Sequence, residues 1–127
     1  MDRVSMKQLR KIILLLLPGG HPSLIQTAEI LGMSPRTLQR KIAIENMSYK
    51  QLVEDIRYHE ACWLLVNSKK NISDISLLLG YSDAGSFTRA FNRWSGNGPR
   101  HYRLAHETSK LTKHKIKANT APSYQIT

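Results

Sequence analysis

The sequence predicts an all-α fold of about seven helices, in which two helix-turn-helix subdomains are joined by a long linker helix. Apolar residues recur at helical spacing, and no long stretch alternates apolar and polar residues as a strand does. Residue types that cap helices precede most of these segments. A short run, Leu-Gly-Met-Ser at 31–34, recurs as Leu-Gly-Tyr-Ser at 79–82, so the chain contains the same helix, glycine turn and helix twice.

Composition limits the class of molecule. The chain has 127 residues, 41% of them hydrophobic, which suits one domain or two small subdomains with a core. Its formal net charge of +10 favours a polyanionic partner, either nucleic acid or an anionic membrane surface. The single cysteine, Cys62, excludes an intramolecular disulfide. Because it lies in an apolar helical segment, we expect a small buried side chain there and no redox role.

The N-terminal segment predicts neither a membrane span nor a signal peptide. Its longest apolar run, 12–17, has six residues, whereas a span needs about 20. Basic residues precede that run, but Pro18-Gly19-Gly20 follows it in place of a small-residue cleavage site. We therefore expect a cytoplasmic protein without a membrane partner.

Capping residues and helix breakers predict the boundaries of the helices. Ser23 is followed three residues later by Gln26, and Ser48 by Gln51, in the pattern of a capping box. Asn71 is a third capping residue. The predicted segments are a first helix with its entry segment (1–20), a first helix-turn-helix (about 23–46), a linker helix (about 49–66), a second helix-turn-helix (about 72–95), a final helix (about 99–104) and a basic, disordered tail (105–127).

The apolar positions of these helices predict the core. The residues expected to face it are Leu24, Ile25, Ala28, Leu31, Leu38 and Ile42 in the first unit, Leu52, Ile56, Trp63 and Leu64 in the linker helix, and Ile72, Ile75, Leu78, Leu79, Phe87 and Phe91 in the second unit. The charged residues Glu54, Asp55 and Arg57 are interpreted as a solvated face of the linker helix.

The second helix of each unit carries polar and basic residues outside this core. Arginine can bind guanine bidentately, glutamine can bind adenine, and threonine can contact a base edge or a thymine methyl group. The linker helix spans roughly 27 Å, and successive major-groove segments on one side of a duplex lie about 34 Å apart. We therefore expect the two units to enter successive segments of the major groove.

At these residues the sequence resembles the AraC/XylS family of bacterial transcription regulators, over about 21–103. The resemblance rests on the runs Ala-Glu-Ile-Leu-Gly-Met-Ser at 28–34, Arg-Thr-Leu-Gln-Arg at 36–40, Leu-Gly-Tyr-Ser-Asp at 79–83, Ser-Phe-Thr-Arg-Ala-Phe-Asn-Arg-Trp-Ser-Gly at 86–96 and Pro-Arg-His-Tyr-Arg at 99–103. Arg57, followed by Ala61 and Leu64-Leu65, matches the linker helix of the family.

The resemblance implies a bilobed DNA-binding domain at about 21–104 and a role in transcription regulation. The implied partner is double-stranded DNA, with RNA polymerase as a candidate protein partner, and no cofactor, metal or small-molecule ligand is implied. Carried over by position, the DNA-contacting residues are Pro35, Arg36, Thr37, Gln39 and Arg40 in the first unit and Ala84, Gly85, Ser86, Thr88 and Arg89 in the second.

Some positions depart from the family pattern. Ala84 and Gly85 offer no side-chain hydrogen bond where relatives often carry polar groups, so we expect phosphate contacts to dominate there. Asn46 stands where glycine is frequent, and asparagine tolerates a positive φ. Ser76 replaces a small alanine in the second supporting helix, and Gly98 stands where Ser or Thr often caps the final helix.

The segment before the first unit leaves two origins open. Most relatives carry a separate sensory or dimerisation domain ahead of this one, whereas here the first unit begins at about residue 21. The chain is either a single-domain regulator or a fragment of a longer one. The run Gly-Gly-His-Pro at 19–22 resembles the entry to the DNA-binding domain of larger relatives and favours the second origin.

Three other functions compete with specific DNA binding. An enzyme is disfavoured because the five histidines are scattered and His59-Glu60 lacks the second histidine of a zinc-protease helix. A membrane-surface or partner-binding module would use the basic first helix and tail. A non-specific architectural DNA binder would bind all sequences equally, and no apolar minor-groove wedge is identified.

Overall fold

The structure is a computed structural model that describes residues 4–113. Over this range the chain forms seven α-helices and one 3₁₀ turn, with no strand. The elements are α1 (Met6–Leu16), the 3₁₀ turn (Leu17–Gly19), α2 (Leu24–Leu31), α3 (Pro35–Ala43), α4 (Tyr49–Asn67), α5 (Ile72–Leu78), α6 (Ala84–Ser95) and α7 (Pro99–Lys113). The predicted all-α fold is confirmed: α2–α3 and α5–α6 are the two helix-turn-helix units, and α4 is the linker helix.

Local side-chain caps fix where the helices begin. In each helix from α1 to α6 a capping side chain accepts the backbone N–H of the residue three positions later, at 2.7–3.1 Å. The capping residues are Ser5, Ser23, Ser34, Ser48, Asn71 and Asp83. At Ser48 the predicted capping box is complete, because its backbone N–H donates to the Gln51 side chain at 2.8 Å. Each cap stabilises its helix by about 1 kcal/mol.

One hydrophobic core holds both units against α4. This helix buries residues on several faces, and α1, α3, α5 and α7 pack around it. The fully buried apolar residues outside α4 include Leu9 and Ile13 of α1, Ala28, Leu38 and Ile42 of the first unit, and Ile75, Leu79, Phe87 and Phe91 of the second unit. Burying each large apolar side chain contributes about 1.5–3 kcal/mol. The units therefore share a core and are not separately folded lobes.

Three apolar residues that were expected in the core lie outside it. Ile25 is 64% exposed, Trp63 39% and Leu78 37%. The periodicity of a helix indicates that it has an apolar face, but it does not tell which neighbours cover that face. In α2 the fully buried side chains are Thr27 and Ala28, and Ile25 points elsewhere.

The predicted burial of Cys62 and the predicted positive φ of Asn46 are confirmed, and Ser76 fits its helix. Cys62 is 2% exposed, and burial raises the pKa of its thiol. Asn46 adopts a φ of +61° in the turn after α3. Ser76 is fully buried, and its hydroxyl donates to the Ser73 carbonyl oxygen at 2.7 Å, so its polar group is satisfied within α5.

Arg57 contradicts the prediction of a solvated face on α4. Its side chain is 8% exposed, and its Nε donates to the Leu79 carbonyl oxygen at 2.8 Å. Asp55, also predicted to be solvated, is half-buried and pairs with Arg10 of α1 at 2.8 Å. A charged residue in a helix usually faces water, but the carbonyl groups of an adjacent turn provide the Arg57 donors with partners inside the protein.

The final helix extends to Lys113, well past its predicted end at 104. Residues 105–113, predicted from the sequence to belong to a disordered tail, are thus helical in the structure. Neither Gly nor Pro interrupts this segment, and Leu104, Ala105 and Glu107 are good helix formers. The ring of His106 stacks on that of Tyr102, with 4.1 Å between centroids. The rest of the predicted tail, 114–127, lies outside the described residues.

None of the helices between residues 4 and 113 combines the length and the apolar composition that crossing a lipid bilayer requires.

Candidate nucleic-acid interface

The second helix of each helix-turn-helix unit is the candidate recognition helix, here called a reading helix. The first reading helix is α3, and the turn before it fixes where it begins. Gly32 ends α2 in the left-handed conformation, with φ +71°. Ser34 then caps α3, and Pro35 occupies the first helical position, where its missing N–H costs nothing. Leu38 and Ile42 are fully buried and anchor the helix. The opposite face of α3 therefore points to solvent.

The predicted readers of the first unit lie on this solvent face with one exception. Pro35, Arg36, Gln39 and Arg40 are exposed. Thr37 is half-buried, and its Oγ1 accepts a hydrogen bond from the Ser34 hydroxyl at 3.0 Å. Its backbone N–H also donates to the Ser34 hydroxyl oxygen at 3.1 Å. Thr37 is thus part of the helix cap, and the exposed long polar side chains among the predicted readers are Arg36, Gln39 and Arg40.

The second reading helix, α6, repeats this arrangement with different chemistry. Asp83 caps it, and Phe87 and Phe91 are fully buried anchors. On the outer side Gly85 and Arg89 are exposed, whereas the remaining predicted contact residues, Ala84, Ser86 and Thr88, are half-buried. The Arg89 Nη2 approaches the Ser86 hydroxyl oxygen at 3.4 Å. Arg89 is therefore the one long polar side chain among the five predicted contact residues of α6.

The start of α6 carries an ionised carboxylate. The backbone and side-chain hydrogen bonds of Ser86 hold the pKa of the Asp83 carboxyl below its usual range, and Arg89 adds to this effect. The negative charge lies at the N-terminus of the reading helix, where it interacts favourably with the helix dipole. A DNA phosphate approaching this end would be repelled by Asp83 and attracted by Arg89.

Gly85 leaves open space on α6. A Cβ built there would meet nothing closer than Arg89 Nη1 and Asp83 Oδ1, both at 3.4 Å. Glycine at this position is therefore not required by packing. It leaves the backbone of the first turn of α6 uncovered.

Three buried or half-buried polar side chains, none of them among the predicted contact residues, join the helices and turns that support α3 and α6. Arg57 contacts the turn before α6, as described above. The Tyr49 hydroxyl of α4 donates to the Pro22 carbonyl oxygen at 2.8 Å, just before α2. Arg103 of α7 donates to the Leu65 carbonyl oxygen at 2.9 Å. Arg57 and Arg103 had a signal in the sequence, since both lie in runs that match the family pattern, whereas Tyr49 had none. The contacts themselves could not be read from the sequence, because each joins residues that are distant in the chain.

A family model described as a helix-turn-helix domain matches residues 27–105 of this chain. Among curated relatives, the HTH-type transcriptional regulator VqsM of Pseudomonas aeruginosa is 42% identical over 103 residues. That alignment covers 79% of this chain and 32% of VqsM. The chain spans about a third, or less, of the length of the curated relatives it matches.

Solved structures share the fold. The C-terminal domain of AraT, a response regulator from Geobacillus stearothermophilus, matches with a TM-score of 0.69 and 30% identity, covering 81% of this chain and 88% of that one. The DNA-binding domain of the global transcriptional factor AdpA, solved in complex with a target DNA, matches with a TM-score of 0.66 and 21% identity, covering 81% and 96%. At that identity the likeness to AdpA concerns the fold alone. Because the family model spans both units and the linker helix between them, the chain belongs to the AraC-type helix-turn-helix family.

Proposed function

We propose that this chain binds double-stranded DNA in a sequence-specific way and regulates transcription, with α3 and α6 in two successive segments of the major groove. The observation that carries the proposal is the duplicated unit, in which each second helix buries an apolar face and exposes a polar, basic one. Family membership supports it, since the relative VqsM is named a transcriptional regulator. The net charge of +10 supplies the attraction to a polyanion.

The first unit supplies most of the base reading in this proposal. Arg36 and Arg40 are exposed and can each bind the O6 and N7 acceptors of a guanine, and Gln39 can bind adenine. Pro35 contributes only apolar contact, because it has neither a polar side chain nor a backbone N–H. Thr37 holds the cap and contacts the phosphate backbone.

The second unit mainly positions the protein. Arg89 and Thr88 reach the base edges, whereas Ala84 and Gly85 allow the backbone of the first turn of α6 to approach the DNA closely. Ser86 donates its backbone N–H to Asp83 at 2.7 Å, and its hydroxyl oxygen lies 3.4 Å from Arg89 Nη2, so Ser86 lies beside the side chain that would contact a phosphate. Phosphate contacts fix orientation but carry little sequence information. We therefore expect the half-site under α6 to be the less specific of the two.

The proposal places the chain in the bacterial cytoplasm, where chromosomal DNA is accessible. RNA polymerase is the protein partner expected when the bound site lies beside a promoter. No catalytic reaction, cofactor, metal or membrane contact is assigned to the chain.

The test is a selection of random duplexes with the purified 127-residue chain, followed by titration of the selected site and a scrambled duplex across salt concentrations. We expect a two-part site with half-sites about one helical turn apart and a specific affinity about 10³-fold or more above that for the scramble. Salt-sensitive binding with no enriched sequence would instead indicate the non-specific architectural binder. Binding to anionic vesicles that persists after replacement of Arg36, Gln39, Arg40 and Arg89, without binding to duplexes, would indicate the membrane-surface module.

A further inference from the structure

The two glycine turns have similar backbones but different surroundings. Gly32 and Gly80 both have positive φ angles, +71° and +90°. A Cβ on Gly32 would meet no atom within 4 Å. A Cβ on Gly80 would lie 2.6 Å from the Leu17 carbonyl oxygen and 3.2 Å from the Gly20 carbonyl carbon. The second turn therefore approaches the segment before the first unit at a distance that only glycine permits.

Arg57 of α4 also contacts this turn, in addition to Leu17 and Gly20. Besides its bond to Leu79, its Nη2 lies 3.4 Å from the Gly80 carbonyl oxygen. Its guanidinium carbon lies 4.4 Å from the centre of the Tyr81 ring, in the geometry of a cation–π contact. Disturbing this arrangement leaves a buried charge without its partners, which is strongly unfavourable. The linker helix and the N-terminal segment thus both hold the turn that leads into α6.

The first unit is attached to α4 at another point. The Tyr49 hydroxyl contacts Pro22 and also lies 2.8 Å from the Thr27 hydroxyl oxygen, so it binds the start and middle of α2. The turn at Gly32, which leads into α3, has open space around it. The turn before α6 is therefore held directly by α4 and the N-terminal segment, whereas α3 is held by its own buried residues, Leu38 and Ile42, and not by a close contact at Gly32.

We propose that the contact among Gly80, Arg57, Leu17 and Gly20, here called the Gly80 contact, fixes α6 relative to α3 and so determines which half-site spacing the protein accepts. Each base pair inserted between half-sites moves the second by about 3.4 Å and rotates it by roughly 35°. If the two reading helices are held rigidly, a change of spacing costs the contacts at one half-site. If they are loosely joined, one helix can move to follow its half-site and the contacts are kept. Gly80 and Arg57 are positioning residues in this scheme. The role in spacing rests on the proposed function, but the rigidity of the contact does not.

The rigidity is tested without DNA. In a Cys62→Ala background, Arg40→Cys and Asn92→Cys place one spin label on the exposed face of each reading helix, and pulsed dipolar spectroscopy gives the distribution of distances between them. Gly80→Ala is compared with Gly32→Ala, which strains a positive-φ turn in the same way but causes no close contact. We expect Gly80→Ala to broaden or shift the distribution and Gly32→Ala to leave it unchanged. Equal distributions for both variants would overturn the proposal.

The spacing is tested with the selected duplex and derivatives in which the half-sites are moved one base pair closer or one or two apart. For the unsubstituted chain we expect about a tenfold loss of affinity per base pair of displacement, similar to the loss that one mismatched base pair in a binding site typically causes. Gly80→Ala should bind the best spacing more weakly and show a flatter profile, while Gly32→Ala keeps the original profile. A uniform loss at all spacings for Gly80→Ala would refute the positioning role.

Two further measurements keep the result interpretable. If circular dichroism shows that Gly80→Ala does not fold, Arg57→Lys takes its place, because it keeps the charge and loses the Nε donor to Leu79. The same flattened profile is expected from it. An unsubstituted chain without any spacing preference would overturn the role in spacing. A broad distribution of label distances would then show that the Gly80 contact does not hold α6 in place. A narrow distribution would show that the two helices do not bind two segments of the groove at once.

Discussion

Three arginine side chains show that the net charge of the chain does not tell which basic groups are exposed to a partner. Arg40 is exposed on α3. Arg57 is buried against the turn before α6, and Arg103 donates to the Leu65 and Ser68 carbonyl oxygens at 2.9 and 3.1 Å. Arg57 and Arg103 are bound to backbone carbonyl groups at the end of a helix or in a turn. Part of the basic character of the chain therefore stabilises the fold and is not presented to DNA.

Replacement of Arg40 by alanine should weaken binding to the selected site by about 1–3 kcal/mol and relax the preference at one base position, because a bidentate contact to guanine is lost. Competition between the selected duplex and its single-base variants measures this preference. Lys11→Ala removes the same charge from the exposed side of α1 and should weaken binding to all sequences alike. An unchanged preference in Arg40→Ala would remove Arg40 from the base-reading set.

Gly85→Gln should give the second half-site a new preference, since a side chain fits there and glutamine can bind adenine. Both Gly85→Gln and Gly85→Ala should raise the free energy of unfolding by about 0.5 kcal/mol, because glycine is a poor helix former. The alanine variant controls for this effect, and repeated duplex selection provides the measurement. Identical selected sites for the two variants would show that position 85 does not face a base.

At the scale of the helix, the cap of α6 should respond to pH in a defined direction. The pKa of Asp83 is lowered in the folded state by the hydrogen bonds of Ser86, so its stabilising effect is present at neutral pH and is lost as the pH falls through that lowered pKa. The Asp83→Asn variant keeps a capping side chain that does not titrate.

The difference in unfolding free energy between the unsubstituted chain and Asp83→Asn should therefore stay constant from about pH 8 to about pH 5 and change below about pH 4. Urea denaturation of both proteins across this range measures the difference. A difference that stays constant down to about pH 2 would contradict the assignment of a lowered pKa to Asp83.

The starts of the helices were predictable because a cap is local. Ser48 and Asn71 act on an N–H three residues away, so the sequence alone displays both partners. The continuation of α7 beyond 104 was not predicted, although the segment is rich in helix formers and contains neither Gly nor Pro up to 113. Trp63 and Arg57 were misplaced because their surroundings are set by elements far away in the chain.

The sequence predicted the exposed residues of the candidate site better on α3 than on α6. On α3 the anchors at 38 and 42 fix the outer face, and three long polar residues lie there as expected. On α6 the predicted residues other than Arg89 are small, and three of them are half-buried, so their position in the sequence says less about what they can contact. The Gly80 contact could not be predicted, because Gly32 and Gly80 occupy equivalent places in the repeated run.

At the scale of the whole molecule, the shared core should make the two units unfold together. Leu38 is fully buried in the first unit, and its replacement by alanine should cost about 2–5 kcal/mol. In a Trp63→Phe background, the fluorescence of Trp94 reports on α6 in the second unit. The denaturation midpoint seen by Trp94 should fall as far as that seen by circular dichroism. A Trp94 midpoint that does not move would show that the units unfold independently.

The order of the units along one chain gives the proposed complex a polarity. A dimer of identical readers is symmetric, so its palindromic site is the same in both directions. Here α3 and α6 differ in sequence and are joined through α4 in a fixed order. The proposed complex is therefore asymmetric, with α3 on one half-site and α6 on the other. Inverting a site within a promoter would therefore turn the protein end for end, and would exchange the surface that faces the start of transcription without altering one base contact.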